Sequence, residues 1–560
     1  MAVSDPIMQG LMAEGAPFEV VAARASERDV RVFRHAPESL ATLLNNARRF
    51  GEAEFIISGT RRLTYDDAFA RADSLAAHLV GEMRVKPGQS VAICMKNSPE
   101  WMIGFMAAAF AGAVAVLVNS RGQGETLRAA IEDADCRLVL GDGPRLAKLS
   151  EAGCTVPQLS ADAFEALPAP DGFTPVARTA DDLAAMMFTS GTTGRAKAAA
   201  LSHRALVTGV MNTQLAMAAV FAKMAKAYNI DPEVLKSQMP QGCSLLVFPL
   251  FHTSGCSAVF LTSMTSGSKL VLMDRWSAEG ALELIEQEKV STFGGVPTMY
   301  WDLFQSPDFE TRDLSSLRSV SCGGQALPLN LLSEIRERFP EAFIGAGYGM
   351  TETCGAIAQA NGEAFLKKPE ASGQILPMVD VQIADDTGKA LPIGEVGEIW
   401  AKGATLMDGY YGRPEETRST MSGDWLKTGD VGRLDDEGYI YIVDRKTDMV
   451  ISGGENIYCA EVEQVLGQHP DVLQVVTFGV PDARLGERLV ASFVVKDGAV
   501  SKDILMAFAK DNLAAYKVPT DIRVQTTPFA LNAMGKVEKQ SLRASYLAAK
   551  NTQEAYNALS

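Results

Sequence analysis

Metal-binding and disulfide chemistry have little material in this 560-residue chain, which holds five histidines and eight cysteines. The cysteines (Cys94, Cys136, Cys154, Cys243, Cys256, Cys322, Cys354 and Cys459) are scattered without a CxxC pair, and no two histidines stand close together. That pattern excludes the usual zinc sites and disulfide frameworks and fits reduced, buried thiols in a cytoplasmic protein. Positive charge is also scarce. A formal net charge of −16 argues against a general nucleic-acid binder, which needs a basic face. Any polyphosphate must therefore be held by a local arrangement rather than by the field of the whole molecule. The first residues, MAVSDPIMQGLMAEGAPFEV, lack the basic lead and apolar core of a secretory leader. The longest apolar run, Met102–Val118, is short of the ~20 residues of a membrane span and is divided by Gly112. It is expected to be a buried helix, a tight turn and a buried parallel strand, so no integral membrane segment is expected.

With 47% hydrophobic and 21% charged residues, the chain has the composition of a globular protein of more than one domain. Residues 1–34 carry no readable motif. From His35 an α/β rhythm sets in: Leu63–Val80 as a helix after Thr64, Gly88–Met95 as a strand, Asn97–Phe110 as a helix and Val114–Asn119 as a strand. Similar units around Gly124–Leu140 and Ser268–Ser321 imply a parallel-rich sheet covered by helices. Met211–Gly242 differs in texture, its first half Ala/Met-rich and helical, its second half, with two prolines, a loop. A lid, a partner surface and plain packing all fit it. After Phe343, short alternating strands with Gly and Asp turns predict antiparallel hairpins, a small β-subdomain. Past Arg445 a compact α/β unit follows. The predicted division is a large α/β N-terminal domain (1–444), a hinge (445–448) and a smaller α/β C-terminal domain (449–560).

Within Met186–His203, MMFTSGTTGRAKAAALSH, a short apolar run leads into Thr189, Ser190, Gly191, Thr192, Thr193 and Gly194, then Arg195 and Lys197. Small hydroxylic residues suit a loop whose N–H groups and hydroxyls surround an anionic cluster. A solvated Ser/Thr/Gly linker has the same composition. No Gly-Lys-Ser/Thr closes the loop, so it is not the phosphate loop of ordinary P-loop NTPases.

Further clusters follow in order: FPLFHTSG (Phe248–Gly255), SCGGQALP (Ser321–Pro328), GAGYGMTET (Gly345–Thr353), DWLKTGD (Asp424–Asp430), VDRKTDMVISGGENIY (Val443–Tyr458) and NAMGKVEK (Asn532–Lys539). In this order the set resembles the adenylate-forming superfamily of acyl-CoA synthetases, luciferases and peptide-synthetase adenylation domains, over roughly His35 to Arg543. The resemblance implies two half-reactions: a carboxylate and Mg·ATP give acyl-adenylate and pyrophosphate, and coenzyme A then displaces AMP. No protein nucleophile is required; orientation and charge stabilisation carry the catalysis.

By the same resemblance, Thr189–Gly194 and Lys197 grip the terminal phosphates, with Ala196 and Ala198 standing where Pro and Gly are usual. Gly323, Gly324 and Gln325 form one wall of the adenine slot and Tyr348, between Gly347 and Gly349, stacks on the base, followed by Met350. Thr351 bonds the α-phosphate and Glu352 holds Mg²⁺. Asp430 takes the ribose hydroxyls, assisted by Arg445. His252 gates the acyl pocket. Lys536 is the lysine that swings in for adenylation on a mobile C-terminal domain, with Thr447 in the hinge. Ser452, Gly453, Gly454 and Glu455 line the coenzyme A entrance. The acyl pocket is expected along His252–Gly255 with Thr253, Gly294–Pro297 with Val296, Gly323–Gly324 and Gly345–Gly347. It is glycine-rich and uncharged, which fits a medium or long fatty acid, an aryl acid or an alicyclic acid and disfavours acetate and amino acids. The implied partners are the acid, ATP and coenzyme A, with no nucleic acid; a homodimer is compatible. The rivals are an acyl-AMP ligase that loads a carrier protein, and a non-catalytic nucleotide-binding relative. SGGENIY and the absence of a carrier domain before Ser560 weigh against the first, and the presence of Glu352 and Lys536 against the second.

Overall fold

The computed structural model describes residues 5–25, 28–189, 195–323, 327–496, 500–531 and 537–559. Among them the strands form four sheets. A seven-stranded sheet is parallel from Leu183–Thr189 through Val114–Leu117, Ser90–Cys94 and Cys136–Gly141 to Gln158–Ser160. Lys197–Ser202 adds antiparallel to its other edge, followed by Gly409–Tyr410. A larger sheet contains the parallel strands Cys243–Leu246, Lys269–Leu272, Thr292–Gly295, Ser319–Cys322 and Phe343–Met350. It turns antiparallel at Gly355–Asn361 and continues to Tyr439–Arg445, Trp425–Leu434, Gly397–Gly403 and Val379–Ala384. The expected antiparallel hairpins are therefore present, and they extend the parallel sheet by hydrogen bonds. The C-terminal region has its own five-stranded sheet, built on the hairpin Val472–Asp482/Gly486–Val495.

The local signals operate as their chemistry dictates. Thr64 and Asp67 form a reciprocal capping box at the start of helix Tyr65–Gly81. Ser98 caps helix Pro99–Phe110, whose Trp101 and Phe105 are fully buried and stack 5.6 Å apart. Gly112, at φ +70°, then turns the chain into strand Val114–Leu117; the apolar run is the expected buried helix, turn and strand.

The Ala/Met-rich segment is helical, as expected. It is part of one 26-residue helix, His203–Tyr228, capped by Ser202 and ended by Asn229 at φ +52°. Among the described residues this is the helix long and apolar enough to cross a membrane, yet 56% of its most apolar window is buried within the fold. The stretch expected to be a loop contains a second helix, Pro232–Ser237, because proline at a first helical position forfeits no hydrogen bond.

A side chain at Gly112 would meet Val176 Cγ1 at 2.9 Å in a left-handed backbone conformation. Gly112→Ala should lower stability by about 1–3 kcal/mol, measured by urea unfolding followed through tryptophan fluorescence. An unchanged midpoint would show that the turn can be rebuilt without the glycine.

Candidate functional site

Strands Leu183–Thr189 and Lys197–Ser202 pair antiparallel, with Thr189 opposite Lys197. Ser190–Gly194 lie outside the described residues. Lys197 Nζ sits 5.1 Å from the centre of the Tyr410 ring. Arg195 is bound elsewhere, in a two-pronged pair with Asp133 at 2.8 and 2.5 Å, so the cation at this hairpin end that faces the cavity is Lys197. Ala198 belongs to the regular strand, opposite Phe188, with its methyl in the core. Its difference from glycine thus acts on packing rather than on the loop.

Beside this hairpin, strand Phe343–Met350 ends in the single turn Thr351–Thr353, all three residues buried. Thr353 Oγ1 donates to Gly355 O at 2.7 Å and accepts from Met350 N at 3.2 Å, which closes the turn, and Cys354 leaves it at φ +55°. Burial raises the Glu352 carboxyl above its ordinary range, although Oε1 accepts the Tyr410 hydroxyl at 2.7 Å. Met407 N donates to the Glu352 backbone carbonyl. Among the described residues no cluster of three His, Cys, Asp or Glu side chains could cage a metal. A lone carboxylate suits an ion shared with phosphate oxygens, as Mg²⁺ commonly is.

Tyr348 is buried, and its hydroxyl donates to Asp430 Oδ2 at 2.7 Å. Burial, and next the Asp430 charge, push its phenol well above the usual value. Gly349 has a second reason for its small size beyond an unblocked ring face. A Cβ there would meet Gly355 O at 2.0 Å, across the irregular step in pairing after Tyr348. Asp430 lies directly across the ladder from Arg445, with Nε 3.3 Å from Oδ1. Thr428 Oγ1 accepts the Asp430 N–H and donates to Ile399 O, which holds the carboxylate's strand in place.

These groups line one cavity of about 2250 Å³, more than twice the roughly 1,000 Å³ upper end of ordinary ligand pockets. Thr189, Lys197, Gly323, Tyr348, Gly349 and Met350 reach it, as do Thr351, Glu352, Asp430, Arg445 and Thr447. On the acyl side His252, Thr253, Gly294, Val296 and Gly347 contribute. Gly255 does not. It is a buried residue in the first turn of the π-helix Ser254–Leu261, where a Cβ would meet Pro249 O at 2.1 Å. Gly345 is likewise committed to packing, against Asn361 Oδ1. Gly324, Gln325 and Lys536 lie outside the described residues. Ser452, Gly453, Gly454 and Glu455 are not at the cavity; they form a tight hairpin with both glycines at positive φ.

Two features escaped sequence reading. Tyr410 links Lys197 to Glu352, yet it comes from a two-residue strand whose pairing no local pattern announces. The other is a buried network where the last strand of the large sheet meets the C-terminal unit. Asp444 accepts the N–H groups of Arg445 and Cys459, and Lys539 pairs with Glu463 at 2.8 Å. Glu463 also takes the Thr477 N–H at 2.6 Å. Cys459 is fully buried beside them, its thiol pushed up to about 12 by burial, which makes it packing rather than chemistry.

Burial raises Asp444 to about 6, with nearby Lys539 working in the opposite direction. An unfolded aspartate titrates near ~3.9. Between these values the folded chain keeps a proton that the unfolded chain releases. The stabilisation is full below pH ~4 and is lost as pH climbs through 6. Asp444→Asn keeps the accepting Oδ1. Relative to the parent, it should lose about 1 kcal/mol less stability between pH 5 and pH 8, read from urea unfolding at both pH values; identical losses would contradict the assignment.

Comparison with known proteins gives the same outline. The model of the AMP-binding enzyme family matches residues 43–411, and that of the AMP-binding enzyme C-terminal domain matches residues 461–536. A feruloyl-CoA synthase from Amycolatopsis sp. is 33% identical over 501 residues, covering 89% of this chain and 97% of the relative. A long-chain-fatty-acid–CoA ligase from Bacillus subtilis is 29% identical over 544 residues, covering 89% and 93%. The solved o-succinylbenzoate CoA synthetase from Bacillus subtilis, in complex with its acyl-adenylate intermediate, superposes with a TM-score of 0.76. It shares 30% identity and covers 90% of this chain and 97% of its own. The chain belongs to the AMP-binding enzyme family, within the adenylate-forming superfamily and of its acyl-CoA synthetase type.

Proposed function

We propose that this chain is an ATP-dependent, AMP-forming acid–thiol ligase that activates an apolar carboxylic acid and transfers it to coenzyme A. One observation carries the reading. A single cavity joins a phosphate-side group (Thr189, Lys197), a nucleoside group (Tyr348, Asp430, Arg445), the Thr351–Glu352 turn and an uncharged acyl wall (Thr253, Gly294, Val296).

In the first half-reaction an oxygen of the acid attacks the α-phosphorus of ATP, and the bond to pyrophosphate breaks. Thr351 donates to the α-phosphate and Lys197 faces the departing phosphates. Asp430, a two-oxygen acceptor at the end of a rigid ladder, holds the ribose, and the Tyr348 hydroxyl sets the orientation of that carboxylate. Glu352 would hold Mg²⁺, which when bound would supply neutralisation of the phosphate charge. In the second half-reaction the thiol sulfur attacks the acyl carbon, and AMP leaves with the bonding pair. His252, which lines the cavity beside the acyl wall, gates the acyl pocket. We assign Lys536 to the first half-reaction and the hairpin Ser452–Glu455 to the second. The hairpin stands away from the cavity here, so this assignment requires the C-terminal unit to turn about residues 445–448. All eight cysteines are unpaired, which suits a reducing compartment.

Acids of several classes should release AMP from ATP, with thioester formed only when coenzyme A is present. Amino acids as the best substrates would refute the apolar pocket, and a product indifferent to coenzyme A would refute the ligase. Lys536→Ala should slow adenylation by roughly 100-fold or more while thioester formation from preformed acyl-adenylate stays near the parent rate. Equal loss in both half-reactions, measured by stopped flow, would contradict the turning C-terminal unit.

A further inference from the structure

The part of the chain that the family model matches begins at residue 43, yet earlier residues help to close the cavity. Helix Pro6–Met12 packs on helix His203–Tyr228, with Met8, Leu11 and Met12 against the core. Asp5 caps the short helix through the Ile7 N–H and pairs with Lys223 Nζ at 2.5 Å. At the other end Glu19 is buried and held by Arg34 Nε at 2.5 Å, and it also takes the Gly15 N–H at 3.1 Å. Phe18 stands edge-on to Phe33, with centroids 6.0 Å apart. Between these anchors Leu11, Pro17 and Phe18 form part of the cavity wall.

The long helix sets the scale. At Gly209 it touches the catalytic turn, since a Cβ there would lie 3.1 Å from Cys354 O. Beyond that point Thr213, Met217, Phe221, Met224 and Tyr228 recur on one face and line the cavity. From Gly209 to Lys223, where the N-terminal segment is tied, is roughly 21 Å at ~1.5 Å per residue. A single-ring acid seated at the Thr351 turn would leave most of that length empty.

We propose that residues 5–18 form the distal stop of an acyl channel, and that the substrates are elongated apolar monocarboxylic acids whose tails run along the long helix to Leu11 and Phe18. This rests on the ligase reading above. The Met/Phe face of the helix offers adaptable apolar contact along the way, and the stop is tied down by the Asp5–Lys223 and Glu19–Arg34 pairs.

The test is the ratio of kcat/KM for hexadecanoate to that for hexanoate, measured by AMP release with coenzyme A present. In the parent the ratio should exceed one. Leu11→Trp, which fills the distal end, should lower it about tenfold or more, the size of effect that a filled apolar subsite produces. Phe18→Ala should shift the preferred acid to a longer one. The KM for ATP should stay unchanged in both variants. The proposal is overturned if the parent prefers hexanoate, or if neither variant moves the ratio while acids are still activated; the ligase reading then stands without the stop. Absence of turnover with every acid in the parent would overturn both.

Discussion

Strand Phe343–Met350 runs parallel to Ser319–Cys322 on one side and antiparallel to Gly355–Asn361 on the other, and the site is organised by that seam. Ligands of open α/β sheets gather at the carboxyl ends of strands where the order reverses, and this strand delivers Tyr348 and the Thr351–Glu352 turn at such an end. The antiparallel extension beyond the seam brings back Asp430 and Arg445 from residues about eighty to a hundred positions later, fixed opposite each other by the ladder. The second sheet supplies Lys197 and Tyr410. The bonds Tyr348–Asp430 and Tyr410–Glu352 are thus the cross-ties that turn separate pieces of sheet into one cavity wall.

The same seam explains why the buried carboxylates sit where they do. Asp430 and Glu352 are both nearly inaccessible, and an unpaired buried charge is costly. Each is held by a tyrosine hydroxyl, which donates a hydrogen bond without supplying a positive charge. In the proposed function the negative charge is what Asp430 offers to ribose hydroxyls and Glu352 to a cation. Among the described residues the cation beside either carboxylate is Arg445, 3.3 Å from Asp430 Oδ1. Arg445, more than half exposed, is a weaker partner for Asp430 than a buried arginine would be.

Much of this was legible in the residues. The α/β rhythm, the cap at Thr64 and the turn at Gly112 follow from local chemistry and short spacing, whereas the roles of Tyr348, Thr351, Glu352 and Asp430 are what the family resemblance implies. What was not legible depends on long-range pairing. Nothing near Tyr410 announces that its hydroxyl meets Glu352, 58 positions away. Two glycines read as pocket space are spent on packing: a Cβ added at Gly255 or Gly345 would meet a backbone or side-chain atom within 2.2 Å. Only the Ala/Met-rich part of helix His203–Tyr228 reads as helical in the sequence, because Thr208, Gly209 and Asn212 lower helix propensity while tertiary packing maintains the helix. Its continuous face is what gives the cavity its length.

The central claim is that nucleotide and acid occupy the two ends of one cavity pivoting on the Thr351 turn. A crystal structure with a non-hydrolysable long-chain acyl-adenylate analogue tests it most directly. The account places the ribose on Asp430, the phosphate mimic beside Thr351, and the tail along Met217, Phe221 and Met224 toward Leu11. A nucleoside bound away from Asp430, or a tail leaving the protein without following the long helix, would contradict it.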